Sequence, residues 1–203
     1  MSAARAINHH ADHPGFAGPA GVLCGLLFLV VGRAKARLAT DIAQVSSADH
    51  VVDVGCGPGT AARVAARRGA RVTGVDPSTA MLRVASVITP RRAAITWSEG
   101  TAEALPVADD AATVMWALAT VHHWQDVGAA VAEARRVLVA GGRLIAIERQ
   151  VSADSTGLAS HGWTEQQAEA FAALCRDPGF NDVRVEGRGD GKQAVWVVCG
   201  TRK

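Results

Sequence analysis

Three carboxylates and a pair of adjacent histidines stand at spacings that could do chemistry. The stretch VVDVGCGPGT, Val51–Thr60, sets Asp53 two residues ahead of a turn with glycines at positions 55, 57 and 59. A glycine-rich turn that leaves a strand and enters a helix brings backbone N–H groups and the positive helix end against a ligand. Gly55, Gly57 and Gly59 allow that approach, and Asp53 places a carboxylate where a cationic amino group can be held. The dinucleotide pattern G-x-G-x-x-G needs a glycine where this chain has Thr60, and Pro58 lacks an N–H, so the turn suits a pyrophosphate poorly. Asp76 closes VTGVD, where the second strand of such a unit presents an acid to ribose hydroxyls; its plainer role is a turn-forming Asp before Pro77. Glu103, in EGTAEALPVADD, follows a third strand, in position to border an adenine pocket with Thr101 and Ala102.

Proton chemistry belongs at the ends of the next two strands. His122 and His123 follow the fourth, and Glu148 with Arg149 follows the fifth, so all four rim the same cleft. Imidazole titrates near neutral pH and suits a general base. Adjacent residues point opposite ways, so one of the pair at most reaches an acceptor, and His122 is the preferred base. Trp116, Trp124 and Trp163 either wall an apolar or ring-shaped acceptor or fill the core. His161 and Trp163, in SHGWTEQQ, stand in a loop before a helix over the cleft, there to recognise substrate or to cap the helix.

The elements that must position these groups alternate. VVDV leads through the glycine turn into a helix from about Gly59 to Arg68; RVTGV, a helix over STAMLRVASV, and AITW complete a βαβαβ half. ATVMWA is a fourth strand, DVGAAVAEARRVL a helix, and RLIAI, after the turn AGG, a fifth strand. TEQQAEAFAALC is a helix opened by a capping box of Thr164 and Gln167. DVRVE and AVWVVC are joined by GRGDGK, too short for a parallel crossover, so they pair as an antiparallel hairpin. The expected fold is α/β: a doubly wound, mostly parallel, seven-stranded Rossmann-like sheet ending in that hairpin, in a single domain.

Composition narrows the function classes. The chain has 203 residues, 49% of them hydrophobic, and a formal net charge of +2. No basic run interleaves with aromatics, which argues against a nucleic-acid partner. Cys24, Cys56, Cys175 and Cys199 are far apart and fit no metal-ligand spacing, so no metal is expected and a reduced, cytoplasmic setting is. The apolar run GVLCGLLFLVVG, Gly21–Gly32, is shorter than the ~20 residues a membrane span needs and is followed, not preceded, by Arg33, Lys35 and Arg37. It is expected to pack as a buried or half-buried helix, without stable membrane insertion.

In order and spacing, VVDVGCGPG, VTGVDPSTAML, GTAEALPVADDAATVMWALATVHHW and EARRVLVAGGRLIAIE resemble the class I S-adenosylmethionine-dependent methyltransferases of the broad type 11 group, from about Val51 to Glu148. The resemblance implies S-adenosyl-L-methionine as cofactor. Asp53, Gly55, Cys56, Gly57 and Gly59 would surround its methionine portion, with Ala117 and Leu118 closing that side. Asp76, beside Pro77 and Met81, would take the ribose hydroxyls, and Thr101, Ala102 and Glu103 would border the adenine. It further implies methyl transfer to a small-molecule acceptor, expected as O-methylation of a hydroxyl on a sugar, polyketide or lipid-like molecule, with His122, His123 and Glu148 as catalytic candidates. Residues 1–45 would form a helical segment acting as cap, lid or homodimer contact, and residues 46–203 the cofactor-binding domain. The competing readings are a nicotinamide-dependent reductase, disfavoured by Thr60 and by the absence of tyrosine, and a non-catalytic S-adenosylmethionine-binding module.

Overall fold

The strands are β1 (His50–Val54), β2 (Arg71–Asp76), β3 (Ile95–Glu99), β4 (Ala112–Leu118), β5 (Leu138–Arg149), β6 (Phe180–Arg188) and β7 (Val195–Arg202). They form one sheet in the order β3-β2-β1-β4-β5-β7-β6. The helices are α1 (Arg33–Ile42), α2 (Thr60–Arg67), α3 (Thr79–Ile88), α4 (Val127–Val137) and α5 (Glu165–Arg176). The structure is a computed structural model that describes residues 6–11, 32–176 and 179–203. Most of the apolar run from Gly21, with Phe16, His13 and Cys24, lies outside them, so the helix expected there does too. Among the described residues no helix is long and apolar enough to cross a membrane.

β1 to β5 pair in parallel, and β7 runs antiparallel between β5 and β6, as the short GRGDGK connection requires. Every residue of β1 is buried, because helices cover both sheet faces and a strand between them alternates apolar side chains in both directions. Val51, Val114 and Ile145 face α1 and α2, whose alanines at 36, 39, 61, 62 and 65 let the helices lie close. Val52, Met115 and Leu144 face α4 and α5, with Ala130, Ala134, Ala168 and Phe171. The strand order reverses between β1 and β4, so the cleft at their carboxyl ends is the natural ligand site of this fold.

Local chemistry sets the helix starts. Ser78 accepts from the N–H of Met81, Asp126 from that of Ala129 at 2.9 Å, and Thr164 and Gln167 bond reciprocally as the capping box expected at α5. One boundary differs from the sequence pattern. β5 begins at Leu138, before the AGG turn, because Leu138 already pairs with Ala112; the register then shifts so that Arg143 meets Val114.

Candidate active site

The glycine turn is held from two sides. A Cβ on Gly55 would lie 2.2 Å from Oγ1 of Thr120, and one on Gly59, at φ +77°, would lie 2.1 Å from the ring of Trp97. Trp97, in β3, also fills the space beside Gly74 of β2. Gly57 is different: its φ is +51°, and a Cβ there would meet nothing within 4 Å. The turn is thus packed at its ends and open at its centre, the form needed for close approach of a ligand to backbone.

Two acids brace this turn. Asp76 accepts from the N–H groups of Gly57 and Ser78, each at 2.8 Å. Burial raises its pKa, and the two N–H donors oppose that rise. A carboxylate oxygen can accept more than one hydrogen bond, so ribose hydroxyls can add to these bonds. Asp53 lies deeper, only 2% exposed. One of its oxygens accepts from the indole N–H of Trp116 at 2.8 Å and the other from the N–H of Ala62 at 3.0 Å. Burial pushes its pKa up to about 7. In this arrangement Asp53 ties β1 to β4 and to the start of α2 as much as it faces a ligand.

The remaining cofactor candidates gather nearby. Cys56 is buried and donates its N–H to the carbonyl of Val75, which fastens the turn to β2. Pro77 leads into α3, where Met81 is buried. Thr101 bridges Ala104, and the following loop is clamped where Glu133 of α4 accepts from the N–H of Leu105 at 2.8 Å. Glu103 accepts from the N–H groups of Gln125 and Asp126 at 2.7 and 3.2 Å, linking the expected adenine border to the loop after β4. Ala117 is fully buried at the end of β4 and Leu118 is half-buried beside it.

Beyond Leu118 the chain turns sharply, with Ala119 at φ +58°, into a short 3-10 turn over Val121–His123. Glu148, fully buried at the end of β5, accepts from the N–H of Val121 at 2.8 Å and from Nδ1 of His122 at 2.9 Å. Burial works against ionising this carboxyl, but His122, Lys35 and the Val121 N–H together hold its pKa below the ordinary value. Lys35, on α1, reaches the same region; burial lowers its pKa and Glu148 opposes that. His123 donates from Nδ1 to the carbonyl of His10 at 3.3 Å, and burial, then the neighbouring His122, lowers its pKa to about 4.

Three further imidazoles meet this pair. The ring of His161 lies 5.3 Å from that of His122 and 4.1 Å from that of His10, and His9 lies 4.4 Å from His10. Five of the chain's seven histidines therefore share one site. The sequence pattern located His122, His123 and His161 near the cleft and put His9 and His10 in the expected N-terminal cap, lid or dimer segment, without joining them to the imidazoles of the cleft. Residues 6–11 are seated by Asn8, which donates to the carbonyl of Trp124, and by the Trp163 indole and Gln167 amide, which donate to Ile7 and Ala6. Trp116 and Trp163 are fully buried and Trp124 nearly so, which makes them core, with Trp163 packed on Phe171 at 5.0 Å.

An open glycine turn, an acid at the end of β2 and an acid–imidazole pair across the strand reversal stand together at the ligand cleft of a doubly wound fold. The residues fit S-adenosylmethionine: the open face at Gly57 admits the methionine chain, and Asp76 has the lone pairs its ribose needs. A family model for the methyltransferase domain matches residues 52–146. Demethylmenaquinone methyltransferases of Tropheryma whipplei and Thermobifida fusca are 37% and 39% identical over 115 and 127 residues, covering 55% and 59% of this chain and 46% and 52% of theirs. The chain thus spans about half the length of the curated relatives it matches. The structure of an S-adenosylmethionine-dependent methyltransferase from Mesorhizobium loti superposes with a TM-score of 0.65 at 18% identity, over 83% of this chain and 96% of that one. Residues 52–146 of the chain are thus similar to the methyltransferase domain, and the fold is that of solved S-adenosylmethionine-dependent methyltransferases.

Proposed function

We propose that this protein methylates a small-molecule acceptor at a hydroxyl oxygen, with the proton taken by His122. The observation that carries the proposal is the buried His122–Glu148 pair, set two residues beyond the Thr120 that touches the glycine turn. S-adenosylmethionine supplies, when bound, an electrophilic methyl on a sulfonium. The chain's own groups then have to align the acceptor, exclude water and accept one proton. Glu148 fixes the proton of His122 on Nδ1, which leaves the Nε2 lone pair as the base, and it stabilises the imidazolium that results. Residues 6–11 lie over this end of the cleft and act as its cover, and the small net charge favours a metabolite over nucleic acid. A second reading is supported by the quinone-named relatives: the same deprotonation makes a ring carbon beside the hydroxyl nucleophilic, and the methyl goes to carbon.

His122→Ala should lower turnover by on the order of 10²–10⁴-fold while leaving affinity for S-adenosylhomocysteine nearly unchanged. His123→Ala is the comparison. Carbon-13 spectra of the product, made with labelled cofactor, separate an O-methyl from a C-methyl. A loss below tenfold in His122→Ala would remove it as the base.

A further inference from the structure

The histidine cluster has more nitrogen than one proton transfer uses, and its arrangement is that of a ligand set. We infer that His122, His123 and His161 bind one divalent transition-metal ion of the zinc class. The three rings offer ligand atoms that all lie within 4.8 Å of one another. A tetrahedral ion at ~2.0–2.1 Å from each nitrogen holds its ligands about 3.4 Å apart, so loading asks the rings to close by about an ångström.

Two details point to an ion and not to a chance meeting of imidazoles. His122 is 2% exposed, yet its Nε2 is buried without a hydrogen-bond partner among the described residues. A buried polar nitrogen left so is destabilising, and a metal ion is the partner that three converging imidazoles can share. The outer contacts are also those of a metal site. Nδ1 of His122 is bound to the Glu148 carboxylate at 2.9 Å and Nδ1 of His123 to the His10 carbonyl at 3.3 Å. Each bond fixes the ring proton on Nδ1 and turns the Nε2 lone pair inward, as metal-binding histidines are oriented by their second partner.

The donor set selects the ion. Three neutral imidazoles with no carboxylate in the inner set suit zinc, cobalt, nickel, copper or iron and offer nothing to magnesium or calcium, which require oxygen. His9 and His10 stand outside the set: Nε2 of His9 is bonded to the Ser160 carbonyl at 2.9 Å and that of His10 to the Ser160 hydroxyl at 3.1 Å. Three protein ligands leave a fourth position open, the form of catalytic and not structural zinc. On the methyl-transfer reading, which this step alone rests on, the acceptor's hydroxyl oxygen takes that position. With its Nε2 lone pair given to the ion, His122 is no longer the base. In the loaded protein the ion lowers the pKa of the bound hydroxyl and the proton passes to solvent water, so the ion and the free His122 base are alternatives that the stripped protein separates.

The test is metal binding by the full chain, expressed without a histidine tag and stripped by chelation. Calorimetry with zinc, and visible absorption with cobalt(II), should both show one equivalent bound, with the intense bands of a four-coordinate cobalt ion, and magnesium should not compete. His161→Ala and His123→Ala should each weaken zinc on the order of a hundredfold or more, and Glu148→Gln by about 10–100-fold, with melting temperatures confirming that each variant is folded. His50→Gln, at an imidazole bonded to Ala111 and Thr73 outside the cluster, should leave affinity unchanged. The inference is overturned by failure to take up zinc stoichiometrically, or by His161→Ala and His123→Ala each keeping the zinc affinity of the unsubstituted protein. The two readings fail separately. A stripped protein that methylates at full rate and gains no metal refutes the ion alone; one that binds zinc but methylates no acceptor refutes the transfer reading and leaves the ion in place.

Discussion

Substituting Asp53 by Asn should change how the stability of this protein depends on pH. In the folded chain the carboxyl is held in the β1–α2 junction with its pKa raised from 3.8 to about 7, chiefly by burial. The folded state therefore binds this proton more tightly than the unfolded one. Its stabilising contribution is fully present below pH 3.8 and is lost as pH rises to about 7. At about 1.4 kcal/mol per pH unit the loss amounts to about 4 kcal/mol. The amide of the Asp53→Asn variant cannot titrate, so its share of stability is flat over that range. It has a single acceptor oxygen for the two donors Trp116 Nε1 and Ala62 N, a pH-independent cost of about 1–3 kcal/mol. Urea unfolding of both proteins at pH 4 to 8 reads the difference directly. The variant should be the less stable at pH 4 and should gain on the wild type by about 4 kcal/mol by pH 8. A gap that stays constant within about 1 kcal/mol would mean that the Trp116 and Ala62 bonds keep Asp53 ionised throughout, and would refute the burial argument.

Asp76→Ala should weaken S-adenosylhomocysteine by about tenfold or more for each ribose bond lost, read by calorimetry, and unchanged affinity would take Asp76 out of the site. Gly59→Ala places a methyl 2.1 Å from the Trp97 ring and should lower the melting temperature sharply. Gly57→Ala meets no atom within 4 Å and should cost only the ~1–2 kcal/mol of a left-handed backbone, with the larger loss in cofactor affinity. Deleting residues 1–11 should reduce acceptor turnover more than cofactor affinity; equal losses with a large drop in melting temperature would mark the segment as ordinary core.

The sheet was legible because its signals are local. VVDV, RVTGV and ATVMWA are short β-branched runs between helical repeats, and a six-residue glycine-rich link can only make a hairpin. Asp76 at the end of β2 and the pairing of Glu148 with the 121–123 turn follow from that topology, since strands ending at one edge put their following residues together. What escaped the sequence are contacts with no fixed spacing. Nothing in Trp97 reveals that its ring fills the absent side chains of Gly59 and Gly74. Nothing in His9 or His10 reveals that they meet residues more than a hundred positions away. Trp116 and Trp163 carry a polar N–H that suits a cleft wall as well as a core; only the bonds to Asp53 and Ile7 decide for the core.

The seating of residues 6–11 sets an order on how the molecule can be made. The carbonyl of Ala6 is held by Gln167, 161 positions away, His9 rests on Ser160, 151 positions away, and Asn8 reaches Trp124, 116 positions away. On the ribosome these first residues emerge long before their partners exist, so they must wait, unpaired, until α5 has left the exit tunnel. The pairing of β1 with β2 and β4 joins segments much closer in the chain. Closing a loop of that length over a pocket already formed costs little more than closing a shorter one, but it comes late. The segment over the imidazoles is therefore the part of the site whose partners are made last. On the proposal that residues 6–11 cover the cleft, that cover is completed only when synthesis has passed α5.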